Sequence, residues 1–141
     1  MDKDLALAKQ LLTTEEHTCV LCRDDRIYTS TRRGVAPLLG WLDSDLDLRG
    51  FSAADRVIGK ATAYLYCLLG VKEVFARVIS RPATQVLQNH GIPAHWDTLV
   101  EGIQNRQKTG SCPMEHATRN CATPEEALAA VRQTLEALRQ S

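Results

Sequence analysis

The sequence has no excess of charge of either sign, since 17 lysines and arginines are matched by 17 aspartates and glutamates. A neutral chain has no general attraction for nucleic acid or for an anionic membrane surface. The sequence also lacks the run of about 18 apolar residues that a membrane-spanning helix needs. Its charged, amphipathic first ten residues are unlike a secretory signal. We therefore expect residues 1–141 to form one cytoplasmic domain that binds neither nucleic acid nor membrane.

The cysteines form neither a disulfide framework nor a metal motif. Five cysteines, an odd number, are spread over the chain, unlike the paired cysteines of small secreted proteins. Cys19 and Cys22 have C-x-x-C spacing, but the run T-C-V-L-C is typical of a strand, in which residues three apart point to opposite faces. The four histidines have no ligand spacing. The sequence thus predicts no metal and no cofactor.

The stretch from Gly50 to Gly70 is predicted to be the central helix. Ser52 is a good N-cap, Asp55 can return the hydrogen bond three residues on, and apolar or small residues then recur at helical spacing up to the terminating Gly70. In this interpretation Gly59 lies in mid-helix at a close contact, so that Gly59→Leu would overpack the core. The helix start favours an anion or a catalytic group, although the same residues are equally typical of a capped core helix.

The remaining elements alternate between helices and strands, which predicts an α/β fold with some parallel pairing. The predicted elements are a helix over Leu5–Leu12, hairpin strands over His17–Arg23 and Arg26–Ser30, a helix over Val35–Leu42, a strand over Val71–Ser80, a helix over Pro82–His90, an edge strand over Ile92–Val100, a helix from Cys112 and a helix from Thr123.

A basic loop precedes the helix that begins at Cys112. Arg106 and Lys108 flank a Thr-Gly-Ser turn, and Glu115 follows in the first helical turn. Backbone N–H groups in a glycine turn, a helix start and two cations suit a phosphate, although a solvated surface loop has the same composition.

Cys112 lies at the N-cap, where the helix dipole favours the thiolate, and the alternative is an inert buried thiol. A dyad of Cys112 with His116 is conceivable but badly spaced for aiming both groups at one substrate.

Three stretches resemble the domain-of-unknown-function 1893 family: A-A-D-R-V-I-G-K-A-T-A, V-K-E-V-F-A-R-V-I-S and N-R-Q-K-T-G-S-C-P-M-E-H-A. The resemblance covers nearly the whole chain, and the T-G-S-C-P-M-E block is its most specific part. It implies a three-layer α/β/α sandwich with a mixed sheet, similar in fold to cytidine deaminases, and it implies no established activity.

Zinc deaminases carry H-x-E at the start of one helix and P-C-x-x-C at the start of the next. Placed by predicted element order, Ala53-Ala54-Asp55 and Pro82–Val86 occupy these positions. The ligand positions are then Ala53, Ala83 and Val86, whose side chains cannot coordinate zinc. The comparison predicts a deaminase-like domain without the metal site.

The predicted function is binding of a nucleotide-like or ADP-ribose-like anion, with the base or ribose near Asp55 and phosphates near the basic loop. One alternative is a metal-independent enzyme that uses Asp55, and with it Cys112, as catalytic residues. The other is an oligomeric scaffold without a small-molecule ligand, and a homodimer is a further expectation. The predicted ligand-binding residues are Ser52, Lys60, Asn105, Arg106, Lys108, Thr109, Gly110, Ser111 and Glu115.

Overall fold

A computed structural model describes residues 2–103 and 112–140 of the chain. These residues form six helices and five strands. In chain order they are α1 (Lys3–Thr14), β1 (Cys19–Arg23), β2 (Arg26–Ser30), α2 (Ala36–Leu42), β3 (Ser52–Ile58), α3 (Lys60–Leu69), β4 (Glu73–Ser80), α4 (Arg81–Asn89), β5 (Ala94–Val100), α5 (Pro113–Thr118) and α6 (Pro124–Gln140).

The five strands form one mixed sheet with the order β2-β1-β3-β4-β5. The β1–β2 hairpin turns at Asp24, which has a positive φ of 54°. Strand β1 is antiparallel to both of its neighbours, whereas β3, β4 and β5 run parallel, each joined to the next by a helix. The predicted mixed α/β fold is therefore confirmed.

Helices cover both faces of this sheet because neighbouring residues of the strands point to opposite sides. On one face, α1 packs Leu5, Ala8 and Leu12 against a cluster that includes Ala54 and Phe75. On the other face, side chains of α2, α3, α4 and α6 join the larger core around Ala53, Val74 and Ala76. Cys19 and Cys22 belong to opposite faces, as their strand spacing predicts.

The predicted central helix is wrong in its first half. Residues Ser52–Ile58 form β3, which lies between β1 and β4, with Ala53 opposite both Leu21 and Val74. Ser52 is consequently buried inside the sheet rather than capping a helix. The helix begins only at Lys60, and it ends at Gly70 in the left-handed conformation, as expected. A strand buried on both faces loses the alternation of apolar and polar residues that identifies strands in sequences.

None of the helices in the described parts of the chain is long and apolar enough to cross a membrane.

Gly59 joins β3 to α3, so its predicted position in the middle of a helix is wrong. Its backbone is extended, with φ −95° and ψ −176°, and any residue can adopt this conformation. The restriction is steric, because a Cβ atom here would lie 1.7 Å from Oε1 of Glu115 and 3.1 Å from Cγ1 of Ile103. The Glu115 carboxylate accepts a hydrogen bond from the Lys60 N–H at the start of α3. A side chain at Gly59 would therefore displace that carboxylate.

We expect Gly59→Ala to lower the free energy of unfolding by about 1–3 kcal/mol, because it breaks a partly buried hydrogen bond to a charged group. The matched control is Gly40→Ala within α2, where the new Cβ atom meets only the Arg32 guanidinium, at 3.8 Å. That change should be neutral or stabilising by up to about 1 kcal/mol. Denaturant unfolding measures both variants. In a Glu115→Ala background the Gly59→Ala penalty should shrink, and an undiminished penalty would contradict this role for Glu115.

Candidate functional site

A cavity of about 340 Å³ opens where β3 ends and α3 begins. Its walls come from the start of β1, the segment before α2, the end of β3, the first turn of α3, and residues around α5. Apolar side chains make up most of the wall, including Val35, Val57, Ile103 and Met114. Its size falls within the range of small-molecule sites.

Asp55 lines this cavity and belongs to a buried hydrogen-bonded cluster. The residue is only 8% exposed because it lies on the central strand, beneath α3. Tyr66 donates its hydroxyl hydrogen to Oδ2 of Asp55 at 2.7 Å, and the Val57 N–H donates to Oδ1 at 3.3 Å. The Cys19 sulfur lies 2.9 Å from the Tyr66 hydroxyl. These contacts leave the carboxyl group able to accept further hydrogen bonds from a molecule in the cavity.

Burial controls the protonation of this cluster. Loss of solvent raises the pKa of Asp55 to about 6, although the hydrogen bonds from Tyr66 and the backbone act in the opposite direction. Burial also raises the pKa of the Tyr66 hydroxyl and of the Cys19 thiol well above their usual values. Tyr66 and Cys19 therefore stay protonated at neutral pH, and Asp55 changes charge near pH 6. A carboxyl group with such a pKa can accept or donate a proton under physiological conditions.

Glu115 lines another part of the same cavity. It reaches from α5 to the N-terminus of α3, and burial raises the pKa of its carboxyl group. The Lys60 side chain leaves the cavity instead, since its ammonium group donates to the Arg119 carbonyl at 2.8 Å. Lys60 lines a neighbouring cleft together with Glu115 and Arg119. The Lys60 backbone N–H, rather than the side chain, binds an acid in the structure, and that acid is Glu115. A ligand contact of the Lys60 side chain stays a prediction.

The structure brings three of the predicted site residues together: Asp55, Cys112 and Glu115 all line the cavity. Cys112 precedes α5, as predicted, and its N–H donates to the Ile103 carbonyl at 3.0 Å. Ser52 does not line this cavity, because it is fully buried at the opposite end of β3. The other predicted residues fall in 104–111, outside the described residues, and their roles stay predictions: Asn105, Arg106, Lys108, Thr109, Gly110 and Ser111.

Two arginines of the cavity were missed by the sequence analysis. Arg33 lies before α2 and Arg56 lies in β3, and both are exposed residues that line the cavity. Neither guanidinium group forms an ion pair with a residue in the described ranges. The sequence signal for Arg33 is the basic turn T-R-R-G, but its proximity to Arg56 depends on β3 being a strand beside β1.

Comparison with known proteins assigns the chain to a family of unknown activity. The family described as "Domain of unknown function (DUF1893)" matches residues 7–135. The chain belongs to the DUF1893 family. The crystal structure of the DUF1893 family protein TM1506 from Thermotoga maritima is similar, with a TM-score of 0.86 and 22% identity over 94% of this chain and 91% of that chain. At this identity the likeness shows the fold alone. None of the curated proteins matches the chain.

The described donor groups of this DUF1893 protein, in residues 2–103 and 112–140, do not converge as those of a metal site do. Within the residues that the structure describes, no three histidine, cysteine, aspartate or glutamate side chains are placed to hold one metal ion. Ala53 lies within β3 rather than at a helix start, so its predicted correspondence to a zinc ligand is wrong. Pro82 does lie in the first turn of α4, as predicted, followed by Ala83.

The raised pKa of Asp55 predicts how the stability of the DUF1893 protein depends on pH. The folded state holds the Asp55 proton up to about pH 6, whereas an ordinary aspartate loses it near 3.8. The contribution of Asp55 to stability is therefore fully present below pH 3.8 and is lost as the pH rises through 6. The expected loss is about 3 kcal/mol.

Asp55→Asn is neutral throughout this range, so its stability relative to the parent protein should improve between pH 4 and pH 7. Denaturant unfolding at several pH values measures the difference. The control is Asp45→Asn, which changes an exposed aspartate outside the cavity and should follow the parent profile. Parallel profiles for Asp55→Asn and the parent protein would mean that Asp55 is charged in the folded state over the whole range.

Proposed function

We propose that this DUF1893 protein binds a nucleotide-like anionic ligand in the cavity between β1, β3 and α3. The observation that carries the proposal is the division of the cavity wall: a buried Asp55 acceptor, apolar sides, and Arg33 and Arg56 without ion-pair partners among the described residues. Hydrogen-bond donors on a base or a ribose suit Asp55. A phosphate suits the two guanidinium groups, which bind phosphate oxygens in pairs.

We retain the deaminase-like scaffold in this proposal. The helix starts compared with the zinc-binding positions of deaminases are now taken from the structure rather than from the predicted elements. Three helices bring residues at or near their first turns to the cavity: α2 and α3, which begin near Val35 and Lys60, and α5, which begins at Pro113. The first turns of α2 and α3 read V-A-P-L and K-A-T-A and contain no histidine or cysteine, whereas α5 brings Cys112 and Glu115 to the cavity. Among the residues that the structure describes, no three donor side chains are placed to hold one metal ion, so the deaminase comparison has no zinc site after the correction either. A scaffold of this kind binds its ligand without help from a metal held at these positions.

The second candidate function is metal-independent catalysis on the same class of ligand. The raised pKa of Asp55 favours it, because strongly shifted carboxyl groups in cavities are frequent among catalytic acids and bases. Cys112 would then lie within the same cavity as a nucleophile. Product formation that is abolished in Asp55→Asn would establish this function. Binding without turnover would instead support the first candidate, a protein that binds the ligand without catalysis. The predicted cytoplasmic location remains a prediction.

The proposal predicts that the double variant Arg33→Ala/Arg56→Ala weakens ligand binding at least about tenfold without loss of the fold, because exposed charges contribute little to stability. Thermal shift and calorimetry with AMP, CMP, ADP-ribose and inorganic phosphate measure the binding. The matched control is Arg49→Ala/Arg139→Ala, which removes two exposed arginines that do not line the cavity. Binding of AMP or ADP-ribose should also weaken with added salt, which screens exposed ion pairs.

The outcomes separate the three hypotheses. An unchanged affinity in the Arg33/Arg56 variant would mean that the anion binds elsewhere. The next residues to replace are then Arg106 and Lys108, the cations of the predicted basic loop. No shift with any of the four compounds, together with no small molecule retained in native mass spectrometry of the purified protein, would favour the scaffold hypothesis.

A further inference from the structure

Strand β5 ends the sheet, and Asp97 is the one residue within it of the charged kind that normally protects an edge. Among the described residues only β4 pairs with it. Proteins commonly protect such edges with lysine, proline or a bulge, which prevent pairing with another chain. Between Ala94 and Val100 the sequence A-H-W-D-T-L-V contains neither lysine nor proline. The unpaired backbone groups of β5 are therefore suited to accept a further strand.

Large apolar side chains are exposed along this edge. Trp96 is 41% exposed and Leu99 is 37% exposed. Trp96 lies beside Thr84 and Gln88 of α4 in a shallow groove that opens to solvent. Exposed tryptophan is enriched among the residues that dominate protein–protein interfaces.

The sequence of β5 selects the strand that fits beside it. We propose that β5 pairs antiparallel with β5 of a second copy of this chain, about a two-fold axis that passes through Trp96. Directly opposite residues of antiparallel strands share a face, so the axis must pass through a residue rather than between two. With the axis at Trp96, His95 lies opposite Asp97 of the second copy, and Asp97 lies opposite His95 of the second copy.

Every other two-fold register separates the two tryptophans, and two of these registers also oppose like charges. An axis through Asp97 would place the two Asp97 carboxylates opposite each other, and an axis through Leu99 would oppose Asp97 and Glu101. Like charges opposite each other in a sheet are destabilising, and unlike charges or aromatic pairs are stabilising. Pairing about Trp96 stacks two tryptophans, keeps the two Asp97 carboxylates apart by placing each opposite a His95 imidazole, and brings Leu99 next to Pro93 of the second copy. The same imidazole contacts Glu73 of its own chain, with 2.9 Å between His95 Nε2 and Glu73 Oε2. A two-fold contact is also closed, so it ends at a dimer of ten strands rather than a fibre.

Sedimentation velocity or light scattering over a concentration series tests the dimer, whose mass would be twice the 15.6 kDa of the chain. Trp96→Lys should raise the dissociation constant at least about tenfold, since it removes an aromatic anchor and places two lysines opposite each other. Leu138→Lys is the matched control, because Leu138 is an exposed apolar residue on α6 rather than on β5. Circular dichroism shows whether each variant is folded.

The register has its own test by disulfide trapping. Oxidation of Trp96→Cys should link two chains, whereas Thr98→Cys should not, because the two copies of Thr98 lie on opposite sides of the axis, too far apart for a disulfide. The parent protein, with its five cysteines, is the control for native thiols. A monomeric parent at all concentrations would overturn the proposal. A dimer that persists in Trp96→Lys would contradict β5 as the dimer interface, and a dimer that Thr98→Cys also traps would contradict the register about Trp96. Neither result would affect the proposal of a ligand in the cavity.

Discussion

The fold and the cavity both depend on one constraint: β3 is covered on both faces and paired on both edges. Its neighbours are β1 on one side and β4 on the other, with α1 above and α3 below. Ala53 and Ala54 are fully buried on opposite faces of the sheet as a result. Asp55 lies on the same strand, so its carboxyl group is also removed from solvent, and Tyr66 supplies the hydrogen bond that such a group requires. The unusual protonation of Asp55 is thus a consequence of where β3 lies in the sheet.

The sequence predicted most of the elements because their signals are local. The β1–β2 hairpin, the helix ending at Gly70, and α4 with Pro82 in its first turn all follow from turn and capping residues near each element. The helix predicted to start at the run S-A-A-D is wrong, because this run has good capping residues and helical spacing. Its true environment comes from strands distant in sequence. Periodicity alone cannot separate a helix from a strand buried on both faces.

The candidate site was predictable only in part, for the same reason. Asp55 was singled out as a group at a helix start, but its properties come from burial on a strand. Cys112 and Glu115 were correctly placed at the start of α5 because capping is local. Arg33 and Arg56 line one cavity although they belong to segments separated in the chain, and the contact between Glu115 and Gly59 likewise joins residues far apart in the chain. Such pairings carry no signature in a single sequence.

The single antiparallel junction between β1 and β3 also determines the order in which the site can assemble during folding. The hairpin β1–β2 and the unit β3–α3–β4 each contain mainly local contacts, and local contacts form early. The ladder that joins them places Cys19 opposite Asp55, so it must close a long loop. Cys19, Tyr66 and Asp55 meet at this ladder, on the floor of the cavity. A chain with a complete hairpin but without this ladder would therefore have no site for a ligand.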